Sequence, residues 1–240
     1  MARRREAGFT LVELLVVIGI AAVMIAMLIP TLGVARRQAR TLVCLSNVRQ
    51  LGDAYHVYLN QNQGQSFEYT TNRNGFWMQL LKPLSKRIDL VSICPEAVDR
   101  SMAVGSTTQS WEVFGDQGSY TFNGWLYQYD LHDPMEMKDA FGPHSSYIPL
   151  PASNIDGIPV FSDGTWAYAW PHATDALTAD DDEAASGRSP SEMSRVCINR
   201  HRETINIAFL DGHGETVPLS DLSRQRWSNA FIPQTTKTQH

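Results

Sequence analysis

The chain has 240 residues, enough for one large domain or two small ones, and a hydrophobic content of 43%, which is ordinary for a globular protein. Its formal net charge is −5, and because the leading residues are basic, the remainder is more acidic still. This acidic body excludes nucleic acid as the main partner, since a phosphate-binding surface needs clustered Lys and Arg. The three cysteines are too few for a disulfide-stapled miniprotein and lack the CxxC spacing of common metal sites.

The N-terminal segment predicts a membrane helix. Residues 1–8 are basic, and residues 9–29 are apolar apart from Thr10, Glu13 and glycine. As a helix this stretch spans about 30 Å, roughly one hydrocarbon core. A secretory signal cleaved near residues 33–35 is the alternative. The apolar run is longer than a usual signal core and continues past Pro30 into a helical pattern, which favours the membrane helix.

Glu13 is the informative residue of this segment. A carboxylate inside an apolar membrane helix costs about 2–3 kcal/mol, so it normally has a partner or a function. If the chain were cut after Gly8, the new α-amino group of Phe9 would be a cation at a similar depth. Glu13 of one subunit could then neutralise Phe9 of a neighbour.

The run from Gly8 to Leu14, which follows a basic leader and opens an apolar helix, resembles the type IV prepilin signal. That signal belongs to type IV pilins and to the pseudopilins of type II secretion. The resemblance implies that prepilin peptidase cuts after Gly8 and methylates Phe9. It further implies that Glu13 registers subunits in a filament and that Pro30 marks a helix kink. The expected domains are a leader (1–8), a transmembrane helix (9–29), its continuation as a spine (30–60) and a pilin-like body (61–240).

Orientation does not follow from charge. Arg3, Arg4 and Arg5 on one side of the apolar run are balanced by Arg36, Arg37 and Arg40 on the other. The resemblance instead places the leader in the cytoplasm. It implies a single-pass protein of the bacterial inner membrane whose body is periplasmic or otherwise extracytoplasmic.

The remaining elements predict an α+β fold, with one long N-terminal helix packed on a mostly antiparallel sheet with loop-rich insertions. The helix should end near Asn60, before a polar run containing Gly64. Further expected elements are a short helix at 76–84, buried or extended strands at 90–94, 120–123 and 158–161, and a hairpin of 205–209 with 213–219. The hairpin turn is Asp211-Gly212. Residues 171–195 contain an acidic run and predict a mobile loop.

A second resemblance covers most of the body. His201, nine residues, then Asp211-Gly212 is similar to the H-X9-DG signature of many bacterial prepilin-type proteins. The segments around Cys44 and Cys94 also fit that group, which implies a Cys44–Cys94 disulfide that leaves Cys197 as the odd thiol. Three free cysteines are the alternative. One departure is the loop after His201, which is usually glycine-rich but here begins with Arg202-Glu203.

Three groups of residues invite chemistry. His201, Asp211 and His213 could serve a metal or a reaction, but an intervening strand separates His201 from Asp211, so a structural role for Asp211 and Gly212 in the turn is expected. No cofactor is expected, and calcium is the alternative, through the Asp-Gly turns and the acidic run at 180–183, although EF-hand spacing is absent. The aromatic middle of the body (Trp111, Trp125, Trp166, Trp170, Tyr127, Tyr129 and Tyr168) should form the core, with an exposed binding platform as the alternative.

No nucleophile elbow, HExxH motif or phosphate-binding glycine loop is present in the sequence, so the prediction is a structural protein and not an enzyme. Its expected partners are prepilin peptidase, other pilin or pseudopilin subunits and the inner membrane. Two other classes stay open: a membrane-tethered module that binds polysaccharide or secretion cargo, and an exported hydrolase that uses His201, Asp211 or His213.

Overall fold

The computed structural model describes residues 10–69, 75–97, 99–100, 104–128, 143–152, 154–177 and 191–231. Gly8, Phe9 and residues 178–190, which contain the acidic run of the predicted loop, lie outside the described residues. The chain divides into two compact units, Met1–Arg40 and Thr41–His240.

One helix, α1 (Leu11–Gln61), contains the predicted apolar segment and its continuation, and it runs through Pro30. Its 51 residues confirm the long N-terminal helix. Gln63 and Gly64 follow with φ values of 58° and 82°, and the Gly64 N–H donates to the Leu59 carbonyl at 2.7 Å. A left-handed residue after the last turn satisfies a carbonyl that the helix leaves unpaired, so Gly64 ends α1 where the polar run predicted.

The body contains two short helices and two sheets. The helices are α2 (Trp77–Leu81) and α3 (Ile88–Val91). The smaller sheet has the order β1 (Asp99–Arg100), β2 (Gln109–Val113) and β3 (Asp116–Gly118), and the larger has the order β6 (Tyr168–Ala169), β4 (Tyr120–Asn123), β5 (Pro159–Asp163), β7 (Thr204–Phe209) and β8 (Gly214–Pro218). Within the larger sheet β4–β5, β5–β7 and β7–β8 are antiparallel and β4–β6 is parallel. The mostly antiparallel α+β fold is therefore confirmed.

The last hairpin forms where it was predicted. Strands β7 and β8 pair from Thr204 with Pro218 to Ala208 with Gly214. The connection between them is four residues long, and Gly212 takes a φ of 92° while Asp211 does not enter the left-handed region. Glycine at that position has no Cβ to oppose the turn.

One predicted strand is wrong. Residues 90–94 were expected to be a buried strand, but α3 covers Ile88–Val91 and only bends follow it. Ile88 and Val91 are buried while Leu90 is 75% exposed. Burial at a spacing of three residues is helical, whereas a strand would have buried every second residue.

Within the body, the C-terminal part of α1 packs on the larger sheet through small residues. A Cβ placed on Gly52 would lie 3.2 Å from the Ala208 Cβ, so the helix backbone approaches β7 closely. Tyr55, one turn further on, contacts Phe67 and Phe122 with ring centroids 5.1 and 5.5 Å apart. Such aromatic pairs contribute about 0.5–1.5 kcal/mol each beyond their buried area.

Gly164, directly after β5, offers a test of how tightly the body is packed. A Cβ at this position would lie 1.7 Å from Thr121 Oγ1 and 2.9 Å from the Arg195 carbonyl oxygen. We expect Gly164→Ala to lower the free energy of unfolding by about 1–3 kcal/mol, because the strand end must move to admit one methyl group. Thermal unfolding followed by tryptophan fluorescence measures the change.

The matched control for this change is Gly33→Ala, where the new Cβ would have nothing within 4 Å. Because Gly33 lies in the unit Met1–Arg40 and all tryptophans lie in the unit Thr41–His240, the fluorescence unfolding curve should coincide with that of the unmodified chain. Equal curves for Gly164→Ala and the unmodified chain would contradict the close approach of Thr121 and Gly164.

Candidate functional site

Four buried side chains of metal-ligating type meet in the body. They come from separate parts of the chain: α1, the bend after α3, the end of β5 and the loop before β7. Their ligand atoms all lie within 4.8 Å of one another, and the residues are Cys44, Cys94, Asp163 and His201. We call them the four-ligand cluster.

The contacts within the four-ligand cluster are short and involve every member. Cys44 Sγ lies 3.1 Å from Asp163 Oδ1, and Cys94 Sγ lies 3.4 Å from His201 Nε2. His201 Nε2 is also 3.4 Å from Asp163 Oδ2. Each member of the cluster thus contacts at least one other member through an atom that can bind a metal.

A second set of groups holds the cluster in place. The Asn206 backbone N–H donates to Asp163 Oδ2 at 2.8 Å, and the Arg200 Nη1 lies 3.4 Å from Asp163 Oδ1. Thr41 Oγ1 lies 3.3 Å from His201 Nδ1, so Nδ1 has a partner outside the cluster while Nε2 faces Cys94 and Asp163.

Arg200 is the cation of this region, and its side chain is fully buried. Besides Asp163, its guanidinium donates to the carbonyls of Ser119 at 2.7 Å, Ser106 at 2.8 Å, Thr107 at 2.9 Å and Gly164 at 3.2 Å. These bonds use all three nitrogens of the planar guanidinium, which therefore joins the smaller sheet region to the end of β5.

Burial and mutual contact shift the pKa values of the cluster. Burial acts to raise the pKa of the Cys94 thiol, but hydrogen bonds with Cys44 and His201 outweigh it and lower the pKa to about 6. Burial acts to lower the pKa of His201, but hydrogen bonds with Asp163 and Cys94 raise it to about 9. Burial, the hydrogen bond with Cys94 and the Asp163 charge together raise the pKa of Cys44. Burial opposes ionisation of Asp163, yet contacts with His201 and Arg200 lower its pKa.

The structure separates the residues that the H-X9-DG resemblance groups together. His201 belongs to the four-ligand cluster, whereas Asp211 accepts a hydrogen bond from the His213 backbone N–H at 3.0 Å and contacts the His213 ring at 2.5 Å. The His213 ring stacks on Phe209 with centroids 4.3 Å apart. Asp211 and Gly212 thus act in the turn, away from the chemistry of His201.

The loop after His201, which is glycine-rich in the proteins of that resemblance, keeps a glycine-like backbone conformation here. Arg202 and Glu203 both take left-handed backbone conformations, with φ values of 58° and 60°. Glycine is the residue that adopts this conformation without strain. The backbone path suited to glycine is therefore present here with larger residues.

Cys44 and Cys94 are brought together as the resemblance implied, but both are free thiols in the structure, as is Cys197. The disulfide stays a prediction. Asp163 and Arg200 were missed as site residues in the sequence. An Asp-Gly pair at the end of an apolar strand looks like any turn, and only the fold shows which side chains surround it.

The aromatic residues of the body form its core. Trp111, Trp125 and Trp170 are fully buried, and Tyr127 is 4% exposed. Trp166 and Tyr168 are partly buried and pack against the same core. Tyr129 lies outside the described residues. Among the described aromatic residues, the core interpretation is favoured over an exposed binding platform.

The N-terminal unit exposes its apolar side chains, whereas the body buries its aromatic ones. Every large aliphatic side chain of α1 between Leu11 and Val34 is exposed, from 41% at Val34 to 79% at Leu11. At the start of the helix, Thr10 N–H donates to Glu13 Oε2 at 2.9 Å, and Glu13 N–H donates to Thr10 Oγ1 at 3.3 Å. This reciprocal pair is a capping box, which satisfies backbone donors at the helix start.

Among the described residues, α1 is the helix long and apolar enough to cross a membrane, and the most apolar 18-residue window has a mean hydropathy of 2.9 with none of it buried within the protein. A buried core helix would show the reverse. The chain is thus an α+β protein whose N-terminal helix has the length and composition of a single membrane span.

Comparison with known proteins adds the identity of the N-terminal segment. Residues 3–29 match the family model of the prokaryotic N-terminal methylation motif. The match shows that this segment carries a prepilin-type methylation motif, and it extends over the N-terminal segment only. No curated protein and no solved structure matches the chain.

Proposed function

We propose that this protein is a pilin-like or pseudopilin-like subunit that is processed after Gly8, N-methylated at Phe9 and assembled through α1 into a type IV pilus-like or type II secretion filament. The observation that carries the proposal is the methylation-motif match over residues 3–29 together with the exposed aliphatic surface of α1. That surface must be covered by lipid or by protein, because water does not solvate it favourably.

In this proposal α1 serves twice. It first anchors the precursor in the inner membrane, with the leader in the cytoplasm and the body outside. Prepilin peptidase then removes residues 1–8, and the helix moves from lipid into a bundle of like helices. The apolar surface is buried in both environments, so transfer between them needs little desolvation.

The N-terminus of the protein isolated from native membranes tests the proposal. We expect the mature chain to begin at N-methylated Phe9, with the eight leader residues absent. Intact-mass and N-terminal peptide mass spectrometry measure both features. A precursor expressed without prepilin peptidase is the control and should keep Met1 or Ala2.

Two results would contradict the proposal. A mature start near residues 33–35 would identify α1 as a cleaved secretory signal. A start at Met1 or Ala2 in cells that contain an active prepilin peptidase would leave a tethered body without filament processing.

A further inference from the structure

We propose that Cys44, Cys94, Asp163 and His201 form a structural zinc site that ties α1 to the body. This site is independent of the filament function, because its residues lie in the unit Thr41–His240. Ligand type, ligand spacing, the surrounding hydrogen bonds and the balance of charge all support a zinc ion.

The ligand types select the metal. Two thiolates and one imidazole favour Zn²⁺, and a carboxylate oxygen is a common fourth ligand. Calcium and magnesium require oxygen ligands throughout, so the four-ligand cluster does not suit them. The fold supplies four protein ligands and buries them all. A closed set of four protein ligands is typical of structural zinc, whereas catalytic zinc keeps one position open.

The spacing fits a tetrahedral ion. Standard bond lengths to zinc place neighbouring ligand atoms about 3.3–3.8 Å apart. The contacts of Cys44 with Asp163, Cys94 with His201 and His201 with Asp163 are 3.1, 3.4 and 3.4 Å. All ligand atoms fall within 4.8 Å of one another. The Asp163 contacts use Oδ1 toward Cys44 and Oδ2 toward His201, and no pair of ligand atoms exceeds the shortest zinc spacing by more than about 1.5 Å.

The surrounding hydrogen bonds match those that orient metal ligands. With zinc bound, Thr41 would accept the Nδ1 proton of His201, which leaves the Nε2 lone pair for the ion. The Asn206 backbone N–H holds Asp163 Oδ2 at 2.8 Å, and the Tyr120 hydroxyl lies 3.3 Å from Cys44 Sγ. Partners of this kind fix the ligands and tune their basicity.

The charges balance when zinc is bound. Two thiolates and the Asp163 carboxylate carry three negative charges in a fully buried space. Zinc contributes two positive charges and Arg200 contributes the third. Zinc binding requires both cysteines as thiolates and His201 as a neutral imidazole, so the protons that these groups hold before binding are released to solvent.

A disulfide is the competing use of the same cysteines. It would consume the thiols of Cys44 and Cys94. Asp163 and His201 Nε2 would then lie beside disulfide sulfur atoms that carry no proton or charge for them to bind. An ion uses all four groups. Both linkages would clip α1 to the body, so stability alone does not distinguish them, and the experiment must measure the metal and the thiols directly.

The test uses the full chain, purified in detergent without chelator and kept under argon. Metal content by mass spectrometry should give about one zinc per chain. After chelation and addition of Zn²⁺ alone, the midpoint of thermal unfolding should rise by on the order of 10 °C. Co²⁺ added in place of Zn²⁺ should produce the visible bands of a tetrahedral ion and the near-ultraviolet absorption of cobalt–thiolate bonds.

Variants locate the site. Cys94→Ser and His201→Gln should each lower the bound zinc at least about tenfold and weaken the cobalt spectrum. The matched control is Cys197→Ser, because Cys197 is also buried but belongs to no such cluster among the described residues. It should keep full zinc and the full spectrum. His201→Gln retains both cysteines and therefore keeps the test decisive if Cys94→Ser does not fold.

Three results would overturn the proposal. The first is a reduced, folded chain that binds neither Zn²⁺ nor Co²⁺. The second is a Cys44–Cys94 disulfide, found by peptide mapping of the chain taken directly from native membranes with thiols blocked at lysis. The third is full zinc content in both Cys94→Ser and His201→Gln.

Discussion

Replacing Arg200 with methionine is expected to lower the free energy of unfolding by about 3–5 kcal/mol, the largest change from a single substitution proposed for the body. The side chains of Arg200 and Asp163 are both fully buried. Methionine fills similar volume but leaves the carboxylate without its cation. It also removes the donors for the carbonyls of Ser106, Thr107, Ser119 and Gly164, and a buried acceptor without a donor adds further cost.

Arg224→Met is the matched control for this change. Arg224 pairs with Asp221 at 3.0 Å, three residues away and with both side chains at least 30% exposed. Exposed pairs of this kind contribute about 0–1 kcal/mol, so the control should unfold almost as the unmodified chain does. Chemical unfolding followed by fluorescence suits this protein, because Trp77, Trp111, Trp125, Trp170 and Trp227 are buried. A loss of less than about 1 kcal/mol for Arg200→Met would contradict the buried ion pair.

Replacing Glu13 with leucine is expected to keep the chain in the membrane but to reduce its incorporation into filaments at least about tenfold, which corresponds to 1.4 kcal/mol. In the proposed filament the carboxylate neutralises the methylated amine of Phe9 on a neighbouring subunit. Without Glu13 that amine would be buried without a counter-charge, which is strongly unfavourable in an apolar environment. The amount of precursor in the membrane should not fall, because leucine inserts into the membrane more readily than glutamate.

The capping box offers a control that separates the two roles of Glu13. Thr10→Ala removes the hydroxyl that receives the Glu13 N–H and leaves the carboxylate in place. Loss of such a cap costs about 0.5–2 kcal/mol of helix stability but should leave filament incorporation largely intact. Quantitative blotting of sheared filaments against the membrane fraction measures both variants. Equal loss of incorporation in Thr10→Ala and Glu13→Leu would assign the effect to helix capping and contradict the role in assembly.

The free thiols and the four-ligand cluster bear on how the body keeps its fold. The larger sheet is flanked by short elements, and α2 and α3 are only five and four residues long. Links between distant segments stabilise a body that is built from short elements. Arg200 provides one through hydrogen bonds, and the four-ligand cluster provides another through Cys44 on α1 and Cys94, Asp163 and His201 in the sheet region.

Local patterns in the sequence determined α1, the final hairpin and the N-terminal motif. The apolar run from Leu11, the polar stop before Gly64 and the alternation of Ile205, Ile207 and Phe209 are each confined to one segment, and periodicity is a property of one segment. The motif at residues 3–29 is local for the same reason. Short elements are harder, and the wrong strand at 90–94 shows it: four apolar residues near a proline fit a strand or one helical turn equally well.

Only the tertiary structure decided what the isolated polar residues do. The strand between His201 and Asp211 already predicted that these two residues lie apart, but only the fold shows that His201 lies beside Cys44, Cys94 and Asp163. Cys44 and Asp163 are 119 positions apart in the chain, and no spacing rule connects them. A site assembled from one helix, one bend, one strand end and one loop exists only where the packing of those elements places their side chains together, so the sequence supplies the ligands and the fold alone supplies their geometry.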